Sequence, residues 1–358
     1  MDDQIERLRD RIAELDWDIL EKVAERTGVA REIGRQKLSR GLPLRDLEVE
    51  KEVIERYRSL ATGLNLQLDD AEALATTVIR QAVEAQAERI AAVPQRVLIV
   101  GGAGKMGIWL HRYLTTRGHE VRVLDPKAEG DLPTAHNLTE GVEWSDVTII
   151  STPISMMPDV MREVIDLRPK GLVFDIASIK TPIIPLIKEG VEKGLRICSV
   201  HPMFGPEVRS LYDRNLIICD CGFEPAVEEV WKLFDGSGGL LVRMEVESHD
   251  ELMSFVLDLS HAVSLAFFGA LGQSGFPYET LEKVASTTFR KQMETSRDVA
   301  FENPRLYFDI QHQNPYAKRA LSLLTKSVQE IGEAAASGDE KAFLRIMEGG
   351  RRYFGGNK

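Results

Sequence analysis

The sequence predicts a multidomain protein with an all-α segment, then an α/β segment built on a doubly wound parallel sheet, then a second all-α segment. Three observations predict it. Apolar residues recur at helical spacing over the first ninety residues. From residue 95 to about 246, short β-branched runs alternate with helical patterns. From 247 to the end only helical patterns remain. The segments are therefore 1–92, 95–246 and 247–358, and a chain of 358 residues is long enough to need more than one core.

The first segment reads as three helices. Ile5, Leu8, Ile12, Leu15, Ile19, Val23 and Ile33 line one unusually long helix from about Asp3 to Leu38, broken by Gly41 and Pro43. Asp46 is placed to cap a second helix reaching about Ala61 and ended by Gly63, and Asp69 or Asp70 opens a third running to about Ala91. After Pro94 the expected strands are Val97 to Val100, Val121 to Leu124, Val147 to Ile150, Leu172 to Ile176, Ile197 to Val200 and Leu216 to Cys219. Beyond about Ser248 helices continue to Phe354, punctuated at Gly275-Phe276-Pro277, Asn303-Pro304 and Asn314-Pro315. The tail from Gly355 to Lys358 reads as frayed.

Composition excludes several classes. A hydrophobic share of 43% with 28% charged residues is that of a soluble protein, and no apolar run approaches the eighteen or so residues of a membrane span. The acidic start Met1-Asp2-Asp3-Gln4 is not an export signal, and Cys198, Cys219 and Cys221 make neither a CxxC pair nor a disulfide framework, which together indicate a reducing cytoplasm. A net charge of −11 argues against nucleic acid. His111, His119, His136 and His312 show no metal-ligand grouping, so no metal is implied.

Val97-Leu98-Ile99-Val100-Gly101-Gly102-Ala103-Gly104-Lys105-Met106-Gly107 sets a GxGxxG pattern between an apolar strand and a helix. Gly102 would permit the tight turn, Gly104 the approach of backbone to a pyrophosphate, and Gly107 close helix packing, with Lys105 and Met106 opening the helix that faces the anion. Asp125 ends the next strand, where a carboxylate accepts from the adenosine ribose and disfavours a 2′-phosphate. This predicts a Rossmann-type domain that binds NAD. A Walker loop is excluded because Met106, not Ser or Thr, follows Lys105.

Ligands of such sheets lie beyond the carboxyl ends of the strands, and there the sequence is polar: Ser151-Thr152-Pro153, then Ser178 and Lys180, then His201-Pro202-Met203-Phe204-Gly205-Pro206. With Asp175-Ile176-Ala177-Ser178-Ile179-Lys180, and His249-Asp250 twelve residues before His261, this stretch resembles the prephenate and arogenate dehydrogenases, over about Gln95 to Tyr353. The resemblance implies that His201 hydrogen-bonds the ring hydroxyl where oxidation starts and that Arg297 binds a substrate carboxylate, with Arg290 its competitor. It also implies substrate contacts for His261 and for Ser151 or Thr152. Ser178 is assigned to the cofactor, and Lys180 to a helix start or a cofactor contact, because an ordinary lysine is protonated at neutral pH.

In the first segment Arg26 and Lys37 are eleven residues apart and share one face of the long helix, while Asp46 and Glu50 share a face of the second. Together with Arg9 and Gln86 the pattern resembles the all-helical chorismate mutases. The resemblance implies that Arg9 and Arg26 bind two carboxylates, Lys37 and Gln86 donate to the ether oxygen, and Glu50 with Asp46 meets the ring hydroxyl. Val49 and Ala82 depart from that family, standing where an arginine and a serine are common. Arg9 and Lys37 lie roughly 40 Å apart on a straight helix, too far for one small substrate, so Arg9 must serve a neighbouring chain. The long apolar stripe also asks for a partner, and a homodimer is expected.

The two resemblances imply a bifunctional enzyme of tyrosine biosynthesis that converts chorismate to prephenate and then, with NAD, prephenate to 4-hydroxyphenylpyruvate. An arogenate dehydrogenase, a dehydrogenase with a non-catalytic helical dimerisation module, and a β-hydroxy acid dehydrogenase using Lys180 are the alternatives.

Overall fold

The computed structural model of the chain describes residues 2–40, 42, 44–87 and 93–355. Gly41, Pro43, the expected end of the third helix at Ala91 and the tail from Gly356 lie outside the described residues. The chain divides into two compact units, one of Met1–Thr152, Asp159–Ala177 and Ile187–Met244, the other of Pro153–Pro158, Ser178–Leu186 and Glu245–Lys358.

The first unit opens with α1 (Asp2–Ser39), α2 (Leu47–Leu64) and α3 (Leu68–Ala87). α1 buries only its second half. Residues 4–22 are all exposed, whereas Arg26, Ala30, Gly34 and Lys37, at helical spacing, form the face that meets α3. Gly34 is required there, since a Cβ would stand 2.9 Å from Gln86 Cβ. α2 begins as expected, with Asp46 accepting from the Glu48 and Val49 N–H groups. It does not stop at Gly63. The helix runs on to Leu64, and Asn65 ends it in the left-handed region at φ 58°, a conformation that asparagine tolerates better than most residues.

The sheet follows: β1 (Arg96–Val100), α4 (Lys105–Thr116), β2 (Glu120–Leu124), α5 (Leu138–Trp144), β3 (Val147–Ile150), a 3₁₀ turn at Ile154–Met156, α6 (Met157–Asp166), β4 (Leu172–Asp175), α7 (Ile184–Glu192), β5 (Ile197–Pro202), β6 (Asn215–Asp220), α8 (Glu224–Phe234) and β7 (Leu240–Glu245). The strand order is β2-β1-β3-β4-β5-β6-β7, parallel from β2 to β5, with β6 antiparallel to β5. β3, β4 and β5 are buried throughout, as strands covered on both faces must be. β7 is absent from the sequence reading. Its exposed Arg243 makes ion pairs with Asp220 and Glu224. Cys198, Cys219 and Cys221 are buried.

The second unit contains α9 (Val246–Met253), a π-helical turn at Ser254–Leu259, α10 (Ser260–Gln273), α11 (Tyr278–Lys283), α12 (Thr287–Ala300), α13 (Pro304–Gln313), α14 (Ala317–Ser337) and α15 (Glu340–Tyr353). Contrary to the sequence reading, the continuous stretch Val246–Gln273 is long and apolar enough, by length and composition alone, to cross a membrane. Its composition has a second physical reading. One side carries buried His249, Asp250 and Asp258, held within the unit, and the other exposes Leu252, Phe255, Val256, Val263 and Leu265, an apolar surface of the kind that a protein partner covers.

Candidate active sites

The nucleotide turn joins β1 to α4. Gly101, at φ +83°, takes the conformation that only glycine adopts freely, and a Cβ there would meet the Ser151 carbonyl at 2.6 Å. The tight turn is therefore Gly101's, not Gly102's as the motif suggested. Gly102 instead makes room for Val123, whose Cβ would lie 2.5 Å from an added Cβ. Gly107 has the expected role, since its Cβ would strike the Gly101 carbonyl at 2.6 Å and push α4 off the turn. Gly104 precedes α4 as an exposed N-cap, so the first-turn N–H groups from Lys105 onward lack helical acceptors and suit a pyrophosphate. Asp125 accepts from the Ala103 N–H at 3.1 Å and the Lys127 N–H at 2.8 Å, which fixes its carboxylate beside the turn. These residues fit a dinucleotide.

The carboxyl ends of β1, β3, β4 and β5 share one edge of the sheet. Ser151 and Thr152, both half-buried, leave β3 there, and His201 stands near the end of β5, 3% exposed and paired in register with Ile217 of β6. Ser178, His261 and Arg297 belong to the second unit. Within it the Asp250 carboxylate accepts from the Lys180 N–H at 2.9 Å, from the Thr181 N–H and hydroxyl at 2.6 Å each, and pairs with His249 Nδ1 at 2.7 Å. Burial opposes its charge, yet the bonds from His249, Thr181 and the backbone hold it below the ordinary carboxylate range. His249 and Asp250 thus anchor the segment that carries Ser178 and Lys180. Burial lowers His261 to about 4, its Nδ1 has no hydrogen-bond partner among the described residues, and Tyr307 lies 4.2 Å away, ring to ring. It is a neutral imidazole at pH 7. Tyr307 was missed in the sequence because it lies 46 residues from its partner. Arg297, near the end of α12, and its competitor Arg290 are exposed and line the same cavity of about 390 Å³ with Tyr278 and Phe289.

The helical module gathers part of its expected set. Arg26 donates to the Val78 carbonyl at 2.6 Å and Lys37 Nζ to the Leu44 carbonyl at 2.8 Å. Arg45, next to Leu44, grips Glu50 through two bonds of 2.9 and 3.1 Å. Gln86 lies against Gly34, one turn from Lys37, and its amide oxygen is buried without a partner among the described residues. One expectation fails within the single chain. Asp46 is exposed and its carboxylate is committed to capping α2. Arg9 lies on the exposed half of α1, apart from the others as the length of the helix requires. A residue not foreseen is Tyr212 from the sheet domain, which donates to Glu50 at 3.4 Å and underlies the Arg45 guanidinium at 4.7 Å.

Fold and sites define an NAD-binding dehydrogenase joined to a helical module that carries clustered cationic donors. Three family models match in sequence: chorismate mutase type II over residues 8–87, the prephenate dehydrogenase nucleotide-binding domain over 122–242, and the prephenate dehydrogenase dimerisation domain over 245–349. The chain belongs to the family of bifunctional proteins that join a chorismate mutase to a prephenate dehydrogenase. It is 27% identical over 359 residues to a T-protein of Enterobacter agglomerans, spanning 98% of this chain and 93% of that protein. It is 23% identical to the T-protein of Haemophilus influenzae over 97% and 92% of the two chains. The fold is also that of a crystal structure of prephenate dehydrogenase from A. aeolicus in complex with hydroxyphenyl propionate and NAD+ (TM-score 0.60, 20% identity, 74% of this chain and 99% of that one).

Proposed function

We propose that the two activities run on the residues named above: Lys37, Gln86, Glu50 and Arg26 for chorismate to prephenate, and His201 for the oxidative decarboxylation of prephenate to 4-hydroxyphenylpyruvate, in which hydride and carbon dioxide leave as the ring becomes aromatic. In the first reaction a C–O bond breaks as a C–C bond forms, with no proton transfer, so the module needs only to fold a dianion and stabilise charge growing on the ether oxygen. The observation that carries this half is the packing of Gln86 on Gly34, one turn from Lys37, which brings an amide donor and an ammonium donor to one face of α1. Arg26 takes one carboxylate, and a partner chain supplies Arg9 for the other. Glu50 meets the ring hydroxyl; Asp46 keeps its capping role.

In the second reaction bound NAD supplies the hydride acceptor, held by the α4 N-terminus, the glycine turn and Asp125, with Ser178 as a further contact. His201 accepts the hydroxyl proton, Arg297 holds a substrate carboxylate, and neutral His261 and Ser151 or Thr152 complete the substrate's hydrogen bonds. Segments 1–92, 95–246 and 247–358 carry mutase, nucleotide and dimerisation roles in a cytoplasmic homodimer.

Lys37→Ala tests the assignment. Loss of one charged donor should cost the mutase about a hundredfold or more while the dehydrogenase rate stays unchanged. Equal loss of both would show one shared site or a folding defect. Assaying prephenate beside arogenate in the same experiment decides between the keto and amino substrates.

A further inference from the structure

Neither active site uses the crevice between α3 and the outer face of α4. Its walls are Arg80 on α3, Arg112 on α4, Arg117 at the C-cap of α4, and Arg209 on the loop after β5. Trp109 and Tyr113 also line it, and it encloses about 430 Å³. The two rings stack at 5.1 Å and 10°. One acid, Glu84, lines the cavity, and it pairs with Arg80 at 3.6 Å. Three positive charges remain in a chain whose net charge is −11. Arg112 and Arg209 have no acidic partner among the described residues. Arg117 spends one terminal nitrogen on the Asp235 carbonyl at 2.8 Å and sits 5.1 Å over the Tyr113 ring, while its Nε is buried without an acceptor among the described residues. Burial pushes the Tyr113 hydroxyl up to about 12, so it stays protonated, with Ser237 beside it on the cavity wall.

Guanidinium groups facing one another across a partly enclosed space repel, and the buried Arg117 Nε goes unsatisfied, unless something anionic enters. Arginine forks match carboxylate or phosphate groups in pairs of bonds. We infer that this crevice binds a small organic dianion, two acidic groups on a compact apolar body that lies against Trp109 and Tyr113. The nucleotide turn is at the other end of α4, and none of the proposed mutase side chains lines the cavity. The site is therefore a third one. Because its walls come from α3 on one side and from α4 and the 209–211 loop on the other, its ligand braces the helical module against the sheet domain.

The test is isothermal titration of the full-length protein, saturated with NAD, using benzene-1,3-dicarboxylate as the probe. Wild type should show a binding event that the Arg112→Ala/Arg209→Ala variant weakens about tenfold or more. Both enzyme activities of that variant should stay near wild type, and Lys37→Ala should retain the event. Glu84→Gln, which removes the competing carboxylate, should tighten it. An unchanged isotherm in the double variant, or loss of the event in Lys37→Ala, would overturn the site. Inorganic phosphate binding as tightly as the aromatic dicarboxylate would overturn the ligand class.

Discussion

A buried histidine at a strand end is either packing or chemistry, and His201→Asn separates the two because asparagine hydrogen-bonds but accepts no proton. The dehydrogenase kcat should fall by roughly 10² to 10⁴ while NAD affinity, measured by titration, changes little. The wild-type pH–rate profile should rise through one ionisation, and the variant should lose that step. Asp258 is a second test at this scale. Burial pushes its carboxyl up to about 7, with a bond from Asn314 offsetting part of the cost and Asp250 adding to it. Between its ordinary 3.8 and about 7 the folded chain holds the extra proton, so this group's contribution to stability falls as pH rises through that window. His261 opposes it. Lowered from 6.5 to about 4, it makes the folded chain the weaker proton binder, so its contribution rises with pH between those values. Asp258→Asn keeps an oxygen for Asn314 and removes the falling arm. Its stability advantage over wild type should open from about pH 4 to about 7 and stay flat above, read by urea unfolding across that range. Parallel curves would sink the assignment. His201 was legible because it stands in a motif at a strand end. Asp258 left a fainter signal, one acid within Phe255-Val256-Leu257-Asp258-Leu259, and nothing in the local sequence tells a buried acid in a π turn from an exposed one.

The elements that could be read from the sequence are those whose own residues decide their structure. Asp46 as cap, the long first helix and the buried strands through Cys219 follow from local spacing and survive in the fold. β7 could not be read this way: Leu240-Leu241-Val242-Arg243-Met244-Glu245 carries two charges at the rim of the sheet, and its place comes from tertiary ion pairs. The end of α2 was misjudged for a related reason, since Gly63 is a local stop signal and Asn65 took the left-handed cap instead. The contact between helical module and sheet domain is tertiary too. Gly238, at φ +81°, lies against Val83 of α3, where a Cβ would come within 2.6 Å of the side chain, and Arg45 reaches the Gly238 carbonyl at 3.5 Å. Tyr212 then steadies Glu50 from outside the mutase module. Tyr212→Phe keeps the ring beneath Arg45 and deletes only the hydroxyl, so mutase kcat/KM should fall between about twofold and tenfold with the dehydrogenase unchanged. A variant with full mutase activity would show that Glu50 is held by Arg45 alone.

At the scale of the whole molecule, two surfaces of the chain are exposed and apolar. The second unit exposes the apolar side of Val246–Gln273, within the segment that matches a dimerisation domain. The first unit exposes Ile5, Leu8, Ile12, Leu15, Trp17, Ile19 and Leu20 along a helical arm that no described residue of that unit covers. Arg9 sits on that arm, seventeen residues and about 25 Å of helical rise before Arg26. If Arg9 completes the site of a partner chain, the two sites of a dimer each draw Lys37 from one chain and Arg9 from the other. Arg9→Ala and Lys37→Ala homodimers would then both lack every intact mutase site. A heterodimer of the two variants behaves differently: the chain with intact Lys37 receives intact Arg9 from its partner, and one site is restored while the other carries both lesions. Heterodimers isolated through two affinity tags should therefore recover about half the wild-type mutase rate per dimer. Were Arg9 to act within its own chain, each site of the heterodimer would carry one lesion and activity would stay at the level of the single variants. Dehydrogenase activity, which needs neither residue, should be equal in all three preparations and serves as the internal measure of folded protein.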